Sequence, residues 1–290
     1  AAVTGGNNTA IGKNALTANT SATNNVAIGA SALEATTTAG ANTAVGKDAL
    51  KSNTASNNVA IGADSLETNT SGSKNIAIGT FALNSNTEGD NNVAVGYDAL
   101  VSNTTGNHSV AIGKGALQDA TTGSNNNAIG INSGLTVSTG AENVALGSNT
   151  LRGTEVTGHY NVAIGNAALS AITSATENVA VGYTALGATT QGSRNVAVGT
   201  DALDTNTTGN NNTAVGHHAL TANTSASGNT GVGYKSLEAN TTGHTNTAIG
   251  HQSLNANIDG FRNTALGSDT LRSNTTGIQN VAIGSFAMDQ

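Results

Sequence analysis

Residues 58–74 read Asn58-Val59-Ala60-Ile61-Gly62-Ala63-Asp64-Ser65-Leu66-Glu67-Thr68-Asn69-Thr70-Ser71-Gly72-Ser73-Lys74. The first five of them decide the fold. Asn, a small or β-branched residue, Ala, an aliphatic residue and Gly return seventeen times along the chain, nearly always seventeen residues apart, from Asn8-Thr9-Ala10-Ile11-Gly12 to Asn280-Val281-Ala282-Ile283-Gly284. A unit this short cannot bury its own apolar side chains, so each copy needs a neighbour above and below it. The expected fold is all-β: a parallel β-solenoid, or β-roll, of about seventeen 17-residue coils with two short strands each. The uniform repeat offers no internal boundary, so residues 1–290 are read as one repetitive domain, or a segment of a longer fibre.

Each coil is numbered here from its Asn. The first position is Asn in every copy except Ser109, and stacked Asn side chains can hydrogen-bond one coil to the next. The expected structural ladder comprises Asn8, Asn25, Asn42, Asn58, Asn75, Asn92, Asn143, Asn161, Asn178, Asn195, Asn212, Asn229, Asn246, Asn263 and Asn280. Positions two to five alternate with the period of two that marks a strand. The aliphatic fourth position (Ile11, Ile28, Val45, Ile61 and onward) is expected in the core. Position three is Ala except at Gly231, which suggests a face closely approached by something, such as a partner chain. The invariant Gly at five marks a corner. A second short strand is expected at Ala or Ser followed by Leu (Ala49-Leu50, Ala99-Leu100), with the Leu inside. The stretch Asn-Thr-Thr-Gly (Asn103 to Gly106, Asn206 to Gly209) reads as turn chemistry. Ala-Leu pairs without partners three or four residues away argue against a helical solenoid.

Composition agrees with a thin core. Three Phe, four Tyr, no Trp and no Pro leave Ala, Val, Ile and Leu to fill the interior. Gly, Asn and Thr dominate the remainder, yet a disordered chain would not need an aliphatic residue at one fixed position in every copy. A formal net charge of −7 with no basic run argues against nucleic acid, no apolar stretch approaches a bilayer span, and no Cys is available for disulfide or thiol chemistry. If each coil advances by about 4.8 Å, seventeen of them extend roughly 80 Å.

Three copies are irregular. The Leu of the eighth (Asn126 to Leu135) is displaced by one, the ninth is a residue longer around Arg152 to Tyr160, and the third is a residue shorter near Ala55 to Asn57. A bulge is expected at the eighth and ninth, most simply a tolerated surface insertion. Ala1 and Gln290 fall at the same phase of the repeat, position eleven, so uncapped ends are expected either to continue one another as a head-to-tail filament or to mark a fragment of a longer fibre.

Candidate chemistry is sparse. Tyr97, Tyr183, Tyr234, His217 and His251 share position six and are expected along one edge, where exposed rings beside Asn and Thr can meet a surface glycan or host receptor. His217 and His251 lie two coils apart with Tyr234 between them, about 10 Å, too far to share a metal ion. Acidic residues such as Asp48, Asp64, Asp98 and Asp201 recur at position seven and read as a solvated face. No catalytic, cofactor-binding or metal-binding residue is expected, and the chain is not read as an enzyme.

Segments such as Ser109-Val110-Ala111-Ile112-Gly113 and Asn25-Val26-Ala27-Ile28-Gly29 resemble the head repeats of trimeric autotransporter adhesins, the YadA-like heads, and repeats of phage tail fibres. The likeness covers the whole chain. It implies a left-handed parallel β-roll with three chains side by side, for which the Ala face would suit the trimer axis. The coil here is longer than the family's by the Asn-Thr-Thr-Gly turn. The expected function is therefore a non-catalytic, extracellular structural fibre or adhesin shaft on a cell or virion surface, assembling as a homo-oligomer, either a side-by-side trimer or a filament. An ice-binding solenoid, built on flat arrays of Thr and Asn, and a glycan-binding phage tail fibre are the alternatives.

Overall fold

The computed structural model describes residues 4–289. Ala1 and Gln290, whose shared phase bears on the ends, lie outside the described residues. The coils group into two compact units, Ala1–Asn143 and Val144–Gln290. The first carries eight three-residue strands, from β1 (Thr9–Ile11) to β8 (Asn127–Ile129), and the second carries nine, from β9 (Val144–Leu146) to β17 (Val281–Ile283). Within each unit successive strands pair in parallel and in register, for example Val59↔Ile76, Ala60↔Ala77 and Ile61↔Ile78. Each unit is thus a parallel β-solenoid, and no helix occurs among the described residues.

The direction of the strand faces reverses the expectation. Position three is the buried one: Ala27, Ala60, Ala94, Ala163 and Ala248 have no exposed surface. Position four points outward, with Ile11 59%, Ile112 38% and Ile249 39% exposed, so the aliphatic residues are not core. Position two is never buried either. The reason is space. A coil this narrow has no room inside for an Ile on the strand once the Leu at position nine is inside as well, and Leu33, Leu50, Leu66, Leu83 and Leu100 are all fully buried. Ala faces Leu across the interior, and the Ala face is therefore not available to a partner chain.

The Ala-Leu segment is also not a second strand. Every other residue there sits in the left-handed region, as at Asp98 (φ 56°) and Leu100 (φ 51°). The result is a chain of overlapping turns. Ala99 N–H donates to Gly96 O (3.4 Å) and Asn103 N–H to Leu100 O (3.1 Å), while the intervening Leu100 N–H donates to Ala116 O of the next coil (3.0 Å). A left-handed Leu costs about 1–2 kcal/mol, and burying its side chain offsets this by about 1.5–3 kcal/mol. Each coil repeats that exchange.

Gly at position five is required twice over. At Gly96, φ is +142°, and a Cβ would lie 2.5 Å from the carbonyl oxygen of Gly113 in the next coil. No side chain fits between backbones that close.

The irregular coils keep register. Thr43 pairs with Val59 across the shorter third coil, and Val144 with Val162 across the longer ninth. In the eighth, Gly134 replaces the interior Leu, and Leu117 of the preceding coil reaches to within 2.9 Å of where its Cβ would be. The displaced Leu135 is only half-buried.

Candidate functional site

Three repeating features are candidates for function: the interior amide columns, the outward strand face and the edge carrying positions six and seven. The first proves structural in a more elaborate way than stacking. Position-one Asn residues accept on Oδ1 the backbone N–H of position one in the next coil, as from Asn25 to Asn8 (2.9 Å), Asn92 to Asn75 (2.9 Å), Asn195 to Asn178 (2.9 Å) and Asn280 to Asn263 (3.0 Å). Its Nδ2 donates to the carbonyl at position fifteen of its own coil, as from Asn92 to Gly106 O (2.8 Å). Side-chain amides also bond directly in parts of the column, as Asn195 Nδ2 does to Asn178 Oδ1 (3.2 Å). Ser109 stands in for Asn: its N–H donates to Asn92 Oδ1, and its Oγ accepts from Asn126 N–H (3.2 Å).

A second column was hidden in the turn consensus. The Asn of Asn-Thr-Thr-Gly, position twelve, is fully buried at Asn53, Asn69, Asn86, Asn206, Asn223 and Asn240. Asn86 Nδ2 donates to Asn69 Oδ1 (2.8 Å), and Asn223 Nδ2 to Asn206 Oδ1 (2.8 Å). Each also donates to the position-fifteen carbonyl, so Gly106 O accepts from both Asn92 and Asn103 (2.8 and 3.1 Å). That shared acceptor ties the two columns together and uses both carbonyl lone pairs. Space there is tight: a Cβ at Gly106 would meet Asn103 Oδ1 at 2.5 Å and Gly123 O at 2.6 Å, although Ala226 holds the same position and accepts from Asn212 and Asn223 (2.8 and 3.1 Å). Thr at position thirteen is equally engaged, its Oγ1 donating to a carbonyl of the next coil, as from Thr104 to Thr121 O (3.0 Å) and Thr207 to Thr224 O (3.0 Å). The position-thirteen Thr residues thus hold coils together and have their donors occupied.

The outward strand face is aliphatic at position four and mixed Val, Ile and Thr at position two, with Asn127 in the eighth coil. Positions two and four present Val, Ile and Thr side by side, coil after coil, with Ile61 and Ile78 among the exposed residues of the first unit and Val198 and Leu266 among those of the second. In the second unit position two is Thr four times running, at Thr213, Thr230, Thr247 and Thr264.

At the edge, the ring-bearing residues divide. Tyr234 is stacked between His217 (centroids 5.7 Å apart, planes at 3°) and His251 (5.3 Å, 19°). Both faces of Tyr234 are therefore covered, which removes the surface a sugar ring would stack on. Tyr97 meets Phe81 edge-on at 6.1 Å, and Tyr183 is exposed. Position seven lies beside position six, and its N–H donates to the position-six carbonyl of the preceding coil, as from Asp201 to Tyr183 O (3.0 Å) and His218 to Thr200 O (3.1 Å). This stacking brings Asp201 beneath His218, with Oδ2 and Nε2 3.8 Å apart. In the sequence His217-His218 with His251 is the densest His group but not a site by itself; the stacking of coils adds Asp201 to the pair. Elsewhere on this edge Lys47 and Lys51 flank Asp48, and these cations hold its carboxyl below the usual range against the opposing effect of burial.

The fold and its columns define the class of protein, a parallel β-solenoid repeat protein built on internal Asn ladders. No protein-family model matches the chain, and no curated protein matches it either. No helix among the described residues is long and apolar enough to cross a membrane.

Proposed function

We propose that this chain is a non-catalytic structural protein whose copies associate side by side through the outward strand face, as the shaft or head of an extracellular fibre or adhesin. The observation that carries this reading is the outward Ile, Val or Leu at position four of every coil, flanked at position two by Val or Ile in ten of the seventeen. An apolar stripe repeated in every coil is the kind of surface that marks a protein interface. A second copy is the natural occupant, because its own stripe repeats at the same coil spacing and can match contact for contact along the stack. The resemblance to autotransporter heads supplies the number three and the extracellular setting. Receptor or glycan contact belongs, on this reading, to the variable turn residues at positions six and seven.

The test is sedimentation of the full chain beside the triple variant Ile61→Lys, Ile78→Lys, Ile112→Lys. The wild type should sediment as an oligomer and the variant as a folded monomer, since position four does not contribute to the interior. A monomeric wild type at tens of micromolar, or a variant that still assembles, would sink the reading. The run of outward Thr at Thr213, Thr230, Thr247 and Thr264 favours one second reading, an ice-binding face. Thermal hysteresis from a monomeric wild type would select it.

A further inference from the structure

From the edge of the second unit we infer that Asp201, His217 and His218 form a binding site for a divalent transition-metal ion of the zinc type. One ligand atom from each of the three lies within 4.8 Å of the others. Around a tetrahedral Zn²⁺ with bonds of about 2.0–2.1 Å, ligand atoms stand about 3.4 Å apart, so side-chain rotation closing the set by up to about 1.4 Å completes it. Two imidazoles and one carboxylate suit Zn²⁺, Ni²⁺ or Cu²⁺ and are a poor set for Ca²⁺ or Mg²⁺, which take oxygen ligands.

The supports of the three ligands are also in place. Thr184 Oγ1 donates to Asp201 Oδ1, leaving Oδ2 turned toward His218. The His217 ring is backed by the parallel ring of Tyr234. The two His rings meet edge-on, centroids 3.9 Å apart, so that their nitrogens are not stacked out of reach of one another. Such supports orient a ligand set before the ion arrives. The local repeat explains why the set arises once: only this coil carries His at both positions six and seven, and the coil before it carries Asp at seven. Three protein ligands leave a coordination position open on a partly exposed edge, which water or a group from another molecule can fill.

The test is calorimetric titration of the untagged full chain with zinc chloride, alongside His218→Ala, Asp201→Asn and, as a control, His244→Ala, whose ring stacks on Phe261 at a different turn. One Zn²⁺ per chain is expected, with affinity weakened at least tenfold in His218→Ala and Asp201→Asn and unchanged in His244→Ala. Circular dichroism establishes that each variant is folded. A cobalt-loaded chain should show d–d bands that the Asp201→Asn chain shifts or loses. Absence of saturable binding up to millimolar zinc, or equal binding by His218→Ala and wild type, would overturn the assignment.

Discussion

Position twelve fills one slot of the coil interior in two different ways. From Asn206 to Asn257 it holds buried amides, each bonded to the next, whereas at Ala120 and Val137 in the first unit and Ile172 in the second it holds fully buried aliphatic side chains. Both fillings satisfy the same backbone. What differs is the neighbour each engages: an amide bonds to the amide of the adjoining coil where there is one, as along Asn69, Asn86 and Asn103 before Ala120 ends the run, and an aliphatic side chain needs only apolar surface. Thr serves where the column begins. Thr189 Oγ1 donates to Asn206 O and Thr36 Oγ1 to Asn53 O, both at 2.8 Å, so the hydroxyl satisfies itself on backbone and asks nothing of the coil before it. The column is thus a matter of consistency between coils, and single changes should disclose it.

The largest effect should come from placing an amide in the apolar stretch. Ile172→Asn loses buried aliphatic surface and leaves Oδ1 without the donor that an Asn in the next coil would supply, a loss of about 3 kcal/mol in urea unfolding. Adding Thr189→Asn, which extends the amide column back from Asn206, should recover about 1 kcal/mol, and no recovery would mean that the coupling between coils is unimportant. A smaller loss, about 2 kcal/mol, is expected of Asn223→Ala, which strands Asn206 Oδ1 and deprives Asn240 Nδ2 of one acceptor. In Asn223→Thr the hydroxyl should reach the backbone of the next coil and limit the loss to about 1 kcal/mol; equal losses in the two variants would contradict the role given to Thr189. Smallest is the opposite case, a buried polar group with no partner. Ser236 Oγ has none in the protein, and it occupies the space left by Gly231 in place of Ala, 2.9 Å from where that Cβ would be. Ser236→Ala should therefore stabilise the chain by about 1 kcal/mol, seen as a raised unfolding midpoint with an unchanged slope.

Much of this was legible in the repeat itself. The Asn of position one was identifiable as interior because a polar residue held at one place beside a strand, in nearly every copy, has no reason to be held by solvent. The Asn of position twelve carried the same signal, but Asn-Thr-Thr-Gly also satisfies the preferences of an ordinary turn, and that explanation absorbed it. The Gly three residues later does not separate the two, since it also follows Ala120 and Val137; only the bonds between coils do. The Ala-Leu segment reads as a second short strand with its Leu inside; its left-handed turns follow from bonds to neighbouring coils, which local preference does not contain. Asp201 and His218 are separated by one coil in the chain and meet only through stacking, so no motif marks them.

The repeat alone dictates the coil, its length, its stacking and the positions that recur, because a seventeen-residue unit cannot bury its own apolar side chains without a neighbour on each side. It did not determine which side of the strand is inside. Alternation distinguishes two faces without orienting them, and hydrophobicity favoured the larger residues for the core. The width of the coil settles it: backbone on the far side and the Leu at position nine leave space for Ala alone, and the Val and Ile residues are turned out to form the surface on which assembly is proposed.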